Sequence, residues 1–209
     1  MAIPDLRCYT ELPSLVYMLV HRRLTLLDPS SWDDKNDSYF LSLYREKRKL
    51  KSVLALCFTR AGETYHHWRV FAPGSAGVCV QFDTAKLMRS CMSSVDGMRA
   101  ETVQYLTLPR IRAKRLKIEA LPFLKRAAFE AEDEVRMLWE SDAEEKKSLP
   151  VPFKLEAIKR ITLSPWVHPI LGSEVIDLLR SIEGCGKLKF VKSTLIGNAE
   201  WMERGKAAK

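Results

Sequence analysis

The stretch SVLALCFT, residues 52–59, decides how the fold is interpreted. Its apolar residues are nearly continuous, and this pattern is typical of a strand that is buried on both faces. We therefore place it at the centre of a sheet. The strand ends in a hydroxyl residue, Thr59.

The segments on either side of this strand alternate between helix and strand. LPSLVYMLVHR (12–22) has helical spacing and is followed by a short strand, LTLL. Asp28 and Ser30 are available as caps for short helical turns, and a polar helix is expected over 39–49. ETYHHWRVF (63–71) is expected to be a short aromatic helix. GVCVQFD (77–83) alternates as a strand, and we expect it to pair with residues 52–59.

The second half of the chain continues the alternation without a regular rhythm. RAETVQYL (99–106), AIKRITLS (157–164) and LKFVKSTL (188–195) are strand candidates, and ILGSEVIDLLRSI (170–182) is an amphipathic helix. Residues 113–131 are interpreted as a basic helix with Pro122 near its middle. The class predicted is α+β, with a single mixed sheet and packed helices in one domain over 1–209.

The composition excludes several classes of protein. A hydrophobic fraction of 46% and a charged fraction of 29% are ordinary for a folded soluble domain. No stretch has the length of a membrane span, and the start of the chain lacks the pattern of a signal peptide, so a cytoplasmic location is expected. Five dispersed cysteines are interpreted as reduced thiols.

The net charge of +8 permits an acidic partner such as nucleic acid. Two dense basic runs, YREKRKLK (44–51) and RIRAKRLK (110–117), supply much of it. A solvated helix face explains such runs more often than a binding groove does. The candidate nucleic-acid contacts are Arg45, Arg48, Arg110, Arg112, Lys114 and Arg115.

Familiar catalytic motifs are missing from the sequence. GxxxxGK[ST], GxGxxG and GxSxG do not occur, which removes the P-loop, Rossmann and usual serine hydrolase interpretations. The four histidines lack metal-ligand spacing, so no metal site is predicted.

Four short stretches keep an order and spacing that resemble a known family: NDSYF (36–40), LCFTR (56–60), HHWRVFAPGSAGVCVQFD (66–83) and FEAEDEVRM (129–137). The resemblance is to a prokaryotic domain-of-unknown-function family, number 2971, with its Asn-Asp-Pro, Cys-Phe-Ser, Trp-x-x-Tyr and Glu-x-Glu-x-Arg pattern. Ser38, Thr59 and Phe71 depart from it. The family supplies no settled activity. Its association with mobile or defence-related genes implies a phage-defence or toxin-type effector.

The stretch AEDEVRMLWE (131–140) permits two structures. Apolar spacing from Leu121 to Leu138 fits one continuous amphipathic helix, in which Glu132 and Arg136 are an ordinary surface pair. Alternatively, a helix ends near Glu130 and a strand follows. Glu132, Glu134 and Arg136 then share the face toward a cleft, or form a structural ion-pair network in which Arg136 takes Asp37 or Asp34 as partner.

The order of residue types is also similar to that of enzymes that transfer ADP-ribose from NAD, which implies an ADP-ribosyltransferase-like arrangement as one candidate for the α+β fold. The likeness implies Glu134, Glu132 and Thr59 as catalytic residues and NAD as substrate. Arg7 with Tyr9 would hold the pyrophosphate, and Trp68 or Tyr65 would stack on nicotinamide. A carboxylate facing the ribose stabilises the positive charge that develops as the glycosidic bond breaks. Asn36, Asp37 and Arg136 would clamp the site.

Two further functions compete with this one. The first is a basic nucleic-acid-binding module or a subunit of a larger nucleoprotein assembly, with phosphates on the basic runs and a base stacked on Trp68 or Tyr65. The second is a metal-dependent nuclease built from carboxylates, namely Asp33, Asp34, Asp37, Glu132 and Glu134.

Overall fold

A nine-stranded mixed sheet is built around residues 52–59 in the computed structural model, which describes residues 4–206 and 208. The strands are β1 (Leu6–Glu11), β2 (Arg23–Leu27), β3 (Ser52–Thr59), β4 (Gly77–Phe82), β5 (Met98–Thr102), β6 (Gln104–Leu106), β7 (Leu124–Arg126), β8 (Glu134–Ser141), β9 (Ser148–Pro152), β10 (Ile158–Leu163) and β11 (Phe190–Lys192). The α-helices are α1 (Leu12–His21), α2 (Lys35–Lys47), α3 (Tyr65–Phe71), α4 (Thr84–Met92), α5 (Leu108–Arg112), α6 (Pro169–Ser181) and α7 (Ala199–Lys206). The α+β class with one large mixed sheet is confirmed.

The sheet divides at β3. Its strand order is β11-β10-β4-β1-β3-β2-β9, and β8 pairs with both β3 and β5. One edge of β3 pairs with β8 along its whole length. The opposite edge meets β2 at Ala55 and β1 at Thr59. The two strands that share this edge leave room between them for a cleft.

The continuous apolar run of β3 is explained by packing on both faces. Leu54 and Phe58 belong to the main core, which also contains the buried face of α1. Val53 and Ala55 point the other way, into a second core that α2 closes with Leu41 and Tyr44. Because both faces are covered by apolar side chains, the strand does not need to alternate with polar residues.

The structure corrects the pairing expected for β3 and β4. β1 lies between them and pairs with β4 along six residues, from Leu6 opposite Phe82 to Glu11 opposite Gly77. The short first strand was not expected to enter the sheet. Strands that follow each other in sequence are often neighbours in a sheet. Here β3 and β4 are instead separated by β1, which comes from a distant part of the sequence.

The interpretation of 113–131 as a basic helix is wrong. The segment contains a 3₁₀ helix at Ile118–Phe123, the strand β7, and the start of another 3₁₀ helix at Ala127–Glu132. Pro122 has no N–H to donate and cannot continue an α-helix. The continuous helix across 121–138 is also wrong, since β7, the second 3₁₀ helix and β8 occupy these residues. Asp133, with φ of 42°, turns the chain into β8.

Several boundaries also differ from the expected ones. α2 begins at Lys35, where Asp34 accepts from the N–H groups of Asn36 and Asp37, rather than at residue 39. RAETVQYL is broken at Val103 into β5 and β6, and β11 spans three residues only. Asp28 caps a 3₁₀ turn, but Ser30 lies inside that turn. Within the part of the chain that the structure describes, none of the helices has the length and apolar character needed to cross a membrane.

Candidate active site

Three residues that are distant in sequence form one row across the sheet. Arg7 of β1 lies opposite Thr59 of β3, and Thr59 lies opposite Glu134 of β8. Residues that are direct partners in a sheet present their side chains on the same face. The row therefore places a guanidinium, a hydroxyl and a carboxylate side by side.

This row opens on a cleft with a volume of about 540 Å³. Its floor is the face of β3, and its polar wall includes Arg7, Tyr9, Glu132 and Glu134. Apolar walls are provided by side chains of four segments, namely Leu27, Trp32, Val70, Phe71 and Phe129. A volume of this size with few convergent polar groups is typical of a small-molecule site.

Arg136 forms a buried ion-pair network beside the cleft. It is 0% exposed and holds Asp37 with two parallel bonds, Nη1 to Oδ1 at 2.9 Å and Nη2 to Oδ2 at 2.7 Å. Its Nε donates to Glu134 Oε1 at 2.7 Å, and the Pro122 carbonyl accepts from Nη1 at 2.7 Å. Arg136 thus joins the start of α2 to β8, which is the clamp that the ion-pair alternative describes.

Lys125 was not among the predicted site residues. Its ammonium lies 2.6 Å from Glu132 Oε2, 3.3 Å from Glu134 Oε2 and 3.7 Å from Asp37 Oδ2. It reaches them from β7, which forms a separate two-stranded parallel sheet with β6. The basic helix expected over 113–131 gave Lys125 no role in a site. Its position directly after the apolar residues of LPFL was the available signal that it is buried.

The two glutamates differ in their electrostatic environment. Burial raises the pKa of Glu132 above its ordinary value, because Lys125 offsets only part of the effect. Burial acts in the same direction on Glu134, but Arg136 and Lys125 together outweigh it and hold the pKa of Glu134 below its ordinary value. Three carboxylates, including that of Asp37, face two cations, which leaves one negative charge in excess.

The Thr59 hydroxyl is used to hold the chain. It donates to the Glu132 carbonyl at 2.5 Å and accepts from the Ala61 N–H at 2.9 Å. Thr59 lines the cleft, and its side chain fixes where the 3₁₀ turn before β8 sits. Glu132 ends this 3₁₀ helix and Glu134 begins β8, so the two glutamates do not share one face of a strand.

Arg7 and Tyr9 lie together on the cleft wall. Arg7 Nη1 donates to the Ala61 carbonyl at 2.9 Å, which leaves most of its fork for a ligand. Tyr9 stacks on His67, with ring centroids 5.4 Å apart and planes at 25°. Among the described residues, the Tyr9 hydroxyl and His67 Nε2 are buried atoms without a hydrogen-bond partner. His67 was not among the predicted site residues, because a histidine of the HHW stretch in a short aromatic helix is more often a packing residue than a catalyst.

The two aromatic residues predicted to stack on a ligand lie elsewhere. Trp68 is 0% exposed, packs in a small core with Ala72 and Cys79, and donates to Glu63 at 2.7 Å. Tyr65 is 51% exposed on the outer side of α3. The turn of α3 directs His67, Val70 and Phe71 at the cleft, so neither predicted residue lines it.

Asp33 and Asp34 of the nuclease hypothesis line the cleft, whereas Asn36 and the predicted nucleic-acid contacts lie outside it. Asn36 is exposed and binds Asp34 Oδ1 at 3.2 Å. The candidate nucleic-acid residues are exposed, except for the half-buried Arg45: they are Arg48 at the end of α2, Arg110 and Arg112 in α5, and Lys114 and Arg115 after it. The two basic runs approach each other, since Leu50 of the first and Leu116 of the second both pack against the second core.

A nuclease-type metal site is not supported by the carboxylate geometry. Within residues 4–206 and 208, there is no group of three or more His, Cys, Asp or Glu side chains arranged to hold a metal ion. The three carboxylates that approach each other converge on the Lys125 ammonium instead.

Comparisons with known proteins give a distant structural likeness. No protein-family model matches the chain, and no curated protein sequence matches it. The chain is similar to DarT from Thermus sp. 2.9 in complex with ADP-ribosylated ssDNA, at 10% identity and a TM-score of 0.46, covering 92% of this chain and 97% of that one. The complex of the same protein with NAD⁺ gives 12% identity and a TM-score of 0.44, covering 91% and 95%. These values are low, and the function proposed below rests on the geometry of the cleft.

Proposed function

We propose that the cleft binds NAD, that the chain breaks the bond between nicotinamide and ribose, and that ADP-ribose passes to an acceptor. The observation that carries this proposal is the row of Arg7, Thr59 and Glu134 on adjacent strands, open to a cleft of about 540 Å³. An anion-binding arginine and a buried carboxylate face the same space. NAD carries the matching groups, namely an anionic pyrophosphate and a ribose that bears the cationic nicotinamide ring.

The excess negative charge of the cluster suits this reaction. When the glycosidic bond breaks, its electron pair moves to the ring nitrogen, and neutral nicotinamide leaves. Positive charge then develops on the ribose. A fixed carboxylate in a site that excludes water stabilises such charge more than solvent does. Glu134, whose lowered pKa keeps it ionised, would stabilise the positive charge on the ribose.

Glu132 is suited to a different part in the same reaction. The attacking group of an acceptor must lose a proton as it bonds to the ribose carbon. A carboxylate with a raised pKa is a better proton acceptor than one with a low pKa. Glu132 would take that proton, while Arg7 holds the pyrophosphate through its free N–H groups. The buried Tyr9 hydroxyl and His67 Nε2 would gain partners from the ligand.

The state of the cysteines supports a cytoplasmic location. All five cysteines are free thiols, and four of them are buried, which suits the reducing cytoplasm. An enzyme that consumes NAD or modifies a target there fits the phage-defence or toxin-type effector that the family resemblance implies.

Release of nicotinamide from NAD by the purified chain tests the proposal. Glu134→Gln should lower the rate by about 100-fold or more, as loss of one charge-stabilising group commonly does. Glu130→Gln is the matched control, because Glu130 is an exposed carboxylate four residues earlier. Equal rates for wild type and Glu134→Gln, or no release with any acceptor offered, would contradict the proposal.

Nucleic acid is a second candidate, either as the acceptor or as a separate partner. The observation that favours it is the proximity of the two basic runs: Leu50 of the first and Leu116 of the second pack against the same core. β6 leads from the site toward these residues, since the Tyr105 hydroxyl accepts from the Glu134 N–H at 2.8 Å. β6 therefore connects Glu134 of the cleft to α5, which carries Arg110 and Arg112.

The salt dependence of binding tests this second candidate. Changing Arg112, Lys114 and Arg115 to Gln should reduce the slope of log K against log salt by about 0.7 for each phosphate of a single strand that these residues neutralise. The control variant changes Arg180, Arg204 and Lys206 to Gln, three exposed cations on α6 and α7. An unchanged slope in the first variant, or an equal reduction in both, would remove this surface from consideration.

A further inference from the structure

Lys125 occupies the centre of the carboxylate cluster and has no part in the function proposed so far. Its ammonium contacts Glu132 at 2.6 Å and Glu134 at 3.3 Å, and it lines the cleft. It also lies 5.0 Å from the centre of the Phe129 ring, which covers it from the other side. A lysine that is this deeply buried needs a reason beyond solubility.

The partners of the two glutamates are unequal. Glu134 is bound by both Arg136 and Lys125, whereas Glu132 has Lys125 as its cation partner. Removal of Lys125 would therefore leave Glu134 paired and Glu132 unpaired. Because an unpaired buried carboxylate takes up a proton, the change would fall on Glu132.

We infer that Lys125 is a positioning residue that holds Glu132 ionised and aimed into the cleft, so that Glu132 can accept the proton of the attacking group. The catalytic part of this inference rests on the proposed function. The charge state of Glu132 does not, and it can be measured without any activity. Lys125 contacts the carboxylates and acts through them rather than on the ribose.

Other titratable groups near Glu132 must be separated from its own titration. Thiol and phenol groups nearby stay neutral in the acid range, because burial raises the pKa of Cys57 and of Tyr105. Asp37 is paired with Arg136, but burial raises its pKa, so its carboxyl group must be distinguished from that of Glu132 in the titration. His67 lies beside the Glu132 backbone, and burial lowers its pKa. It is the neighbour that would gain a charge as the pH falls, so a His67→Gln background is included.

The primary test is a ¹³C titration of the glutamate carboxyl groups in the full chain, assigned with Glu132→Gln. Lys125→Met should raise the midpoint of Glu132 by about one unit or more and move Glu134 less, while Lys125→Arg should shift Glu132 by less than about half a unit. The same pattern is expected in the His67→Gln background. Should Lys125→Met not fold, Lys125→Gln replaces it, because the amide can still donate one hydrogen bond.

A Glu132 midpoint that stays unchanged in a folded Lys125→Met or Lys125→Gln chain would overturn the inference. The kinetic test follows the same group in the free enzyme: the acid limb of kcat/KM for nicotinamide release should move to higher pH in Lys125→Met by the shift found in the titration. A lower kcat/KM whose acid limb stays at the wild-type pH would mean that Lys125 has only a structural role. That result would also overturn the inference. If the wild type releases no nicotinamide, the proposed function fails, while the titration still decides the charge state.

Discussion

The buried charges at the cleft and the exposed basic runs are built in different ways. The cluster brings together five charged residues from α2, β7, the 3₁₀ turn before β8, and β8 itself: Asp37, Lys125, Glu132, Glu134 and Arg136. The basic runs are continuous in sequence and remain on the surface. The dense runs of charge in the sequence are therefore not the charges that form the site. The fold brings together charges that are dispersed along the chain.

The difference has an energetic consequence. A buried charge that loses its partner keeps its desolvation penalty. Removal of one partner of a buried pair therefore destabilises a protein by about 3–5 kcal/mol. An exposed pair is worth about 0–1 kcal/mol, since water screens it. Substitutions in the cluster should therefore change folding stability, and substitutions in the basic runs should not.

Arg136→Met is expected to have the largest effect. It leaves Asp37 and Glu134 without their main cation in a buried site, and the free energy of unfolding should fall by about 3–5 kcal/mol. Arg48→Met, which removes an exposed arginine 3.9 Å from Glu119, should change it by less than about 0.5 kcal/mol. Urea denaturation measures both. Comparable losses in the two variants would show that the cluster and the surface do not differ as described.

Glu134 and Glu132 should respond to pH in opposite directions. The pKa of Glu134 is lowered in the folded chain, so its contribution is present above the ordinary value of 4.5 and lost as pH falls through the folded value. The pKa of Glu132 is raised, so its contribution is present below 4.5 and lost as pH rises. Glu134→Gln should destabilise by about 1–3 kcal/mol at pH 7 and less near pH 3. Glu132→Gln should destabilise the chain more near pH 3 than at pH 7.

Unfolding of these two variants and the wild type in urea from pH 3 to 8 measures this difference. Parallel curves for the two variants would mean that the glutamates share one environment.

Thr59 provides the smallest of these effects. Thr59→Val removes the bonds to the Glu132 carbonyl and the Ala61 N–H, and should cost about 1–2 kcal/mol. Thr59→Ser keeps the hydroxyl and should cost about 0.5 kcal/mol, for the missing methyl group. Thermal unfolding of the pair compares them. An equal decrease in both would mean that the hydroxyl does not hold the turn before β8.

Much of the local structure could be predicted from the sequence. The strand at 52–59, the helix at 12–21 and the aromatic helix at 65–71 follow from periodicity and caps. Glu134 and Arg136 could be placed on one face because a strand alternates with a period of two. The likeness of residue order named Arg7, Thr59 and Glu134, and the structure brings these three to one cleft.

The rest depended on contacts that leave no local pattern. The insertion of β1 between β3 and β4 is decided by pairing between residues about 75 apart, such as Leu6 with Phe82. Lys125 is buried by a short parallel pair of three-residue strands, which is too short for periodicity to show. Trp68 was chosen for its stacking surface, but its orientation is set by the core of α3.

The most direct test of NAD binding in the cleft is a crystal structure with a non-hydrolysable NAD analogue. We predict that the analogue occupies the cleft, with its pyrophosphate within hydrogen-bond distance of Arg7 and its nicotinamide ribose facing Glu134. The Arg136–Asp37 pair should stay in place. An analogue bound elsewhere on the chain, or an empty cleft at saturating concentration, would contradict the proposed function.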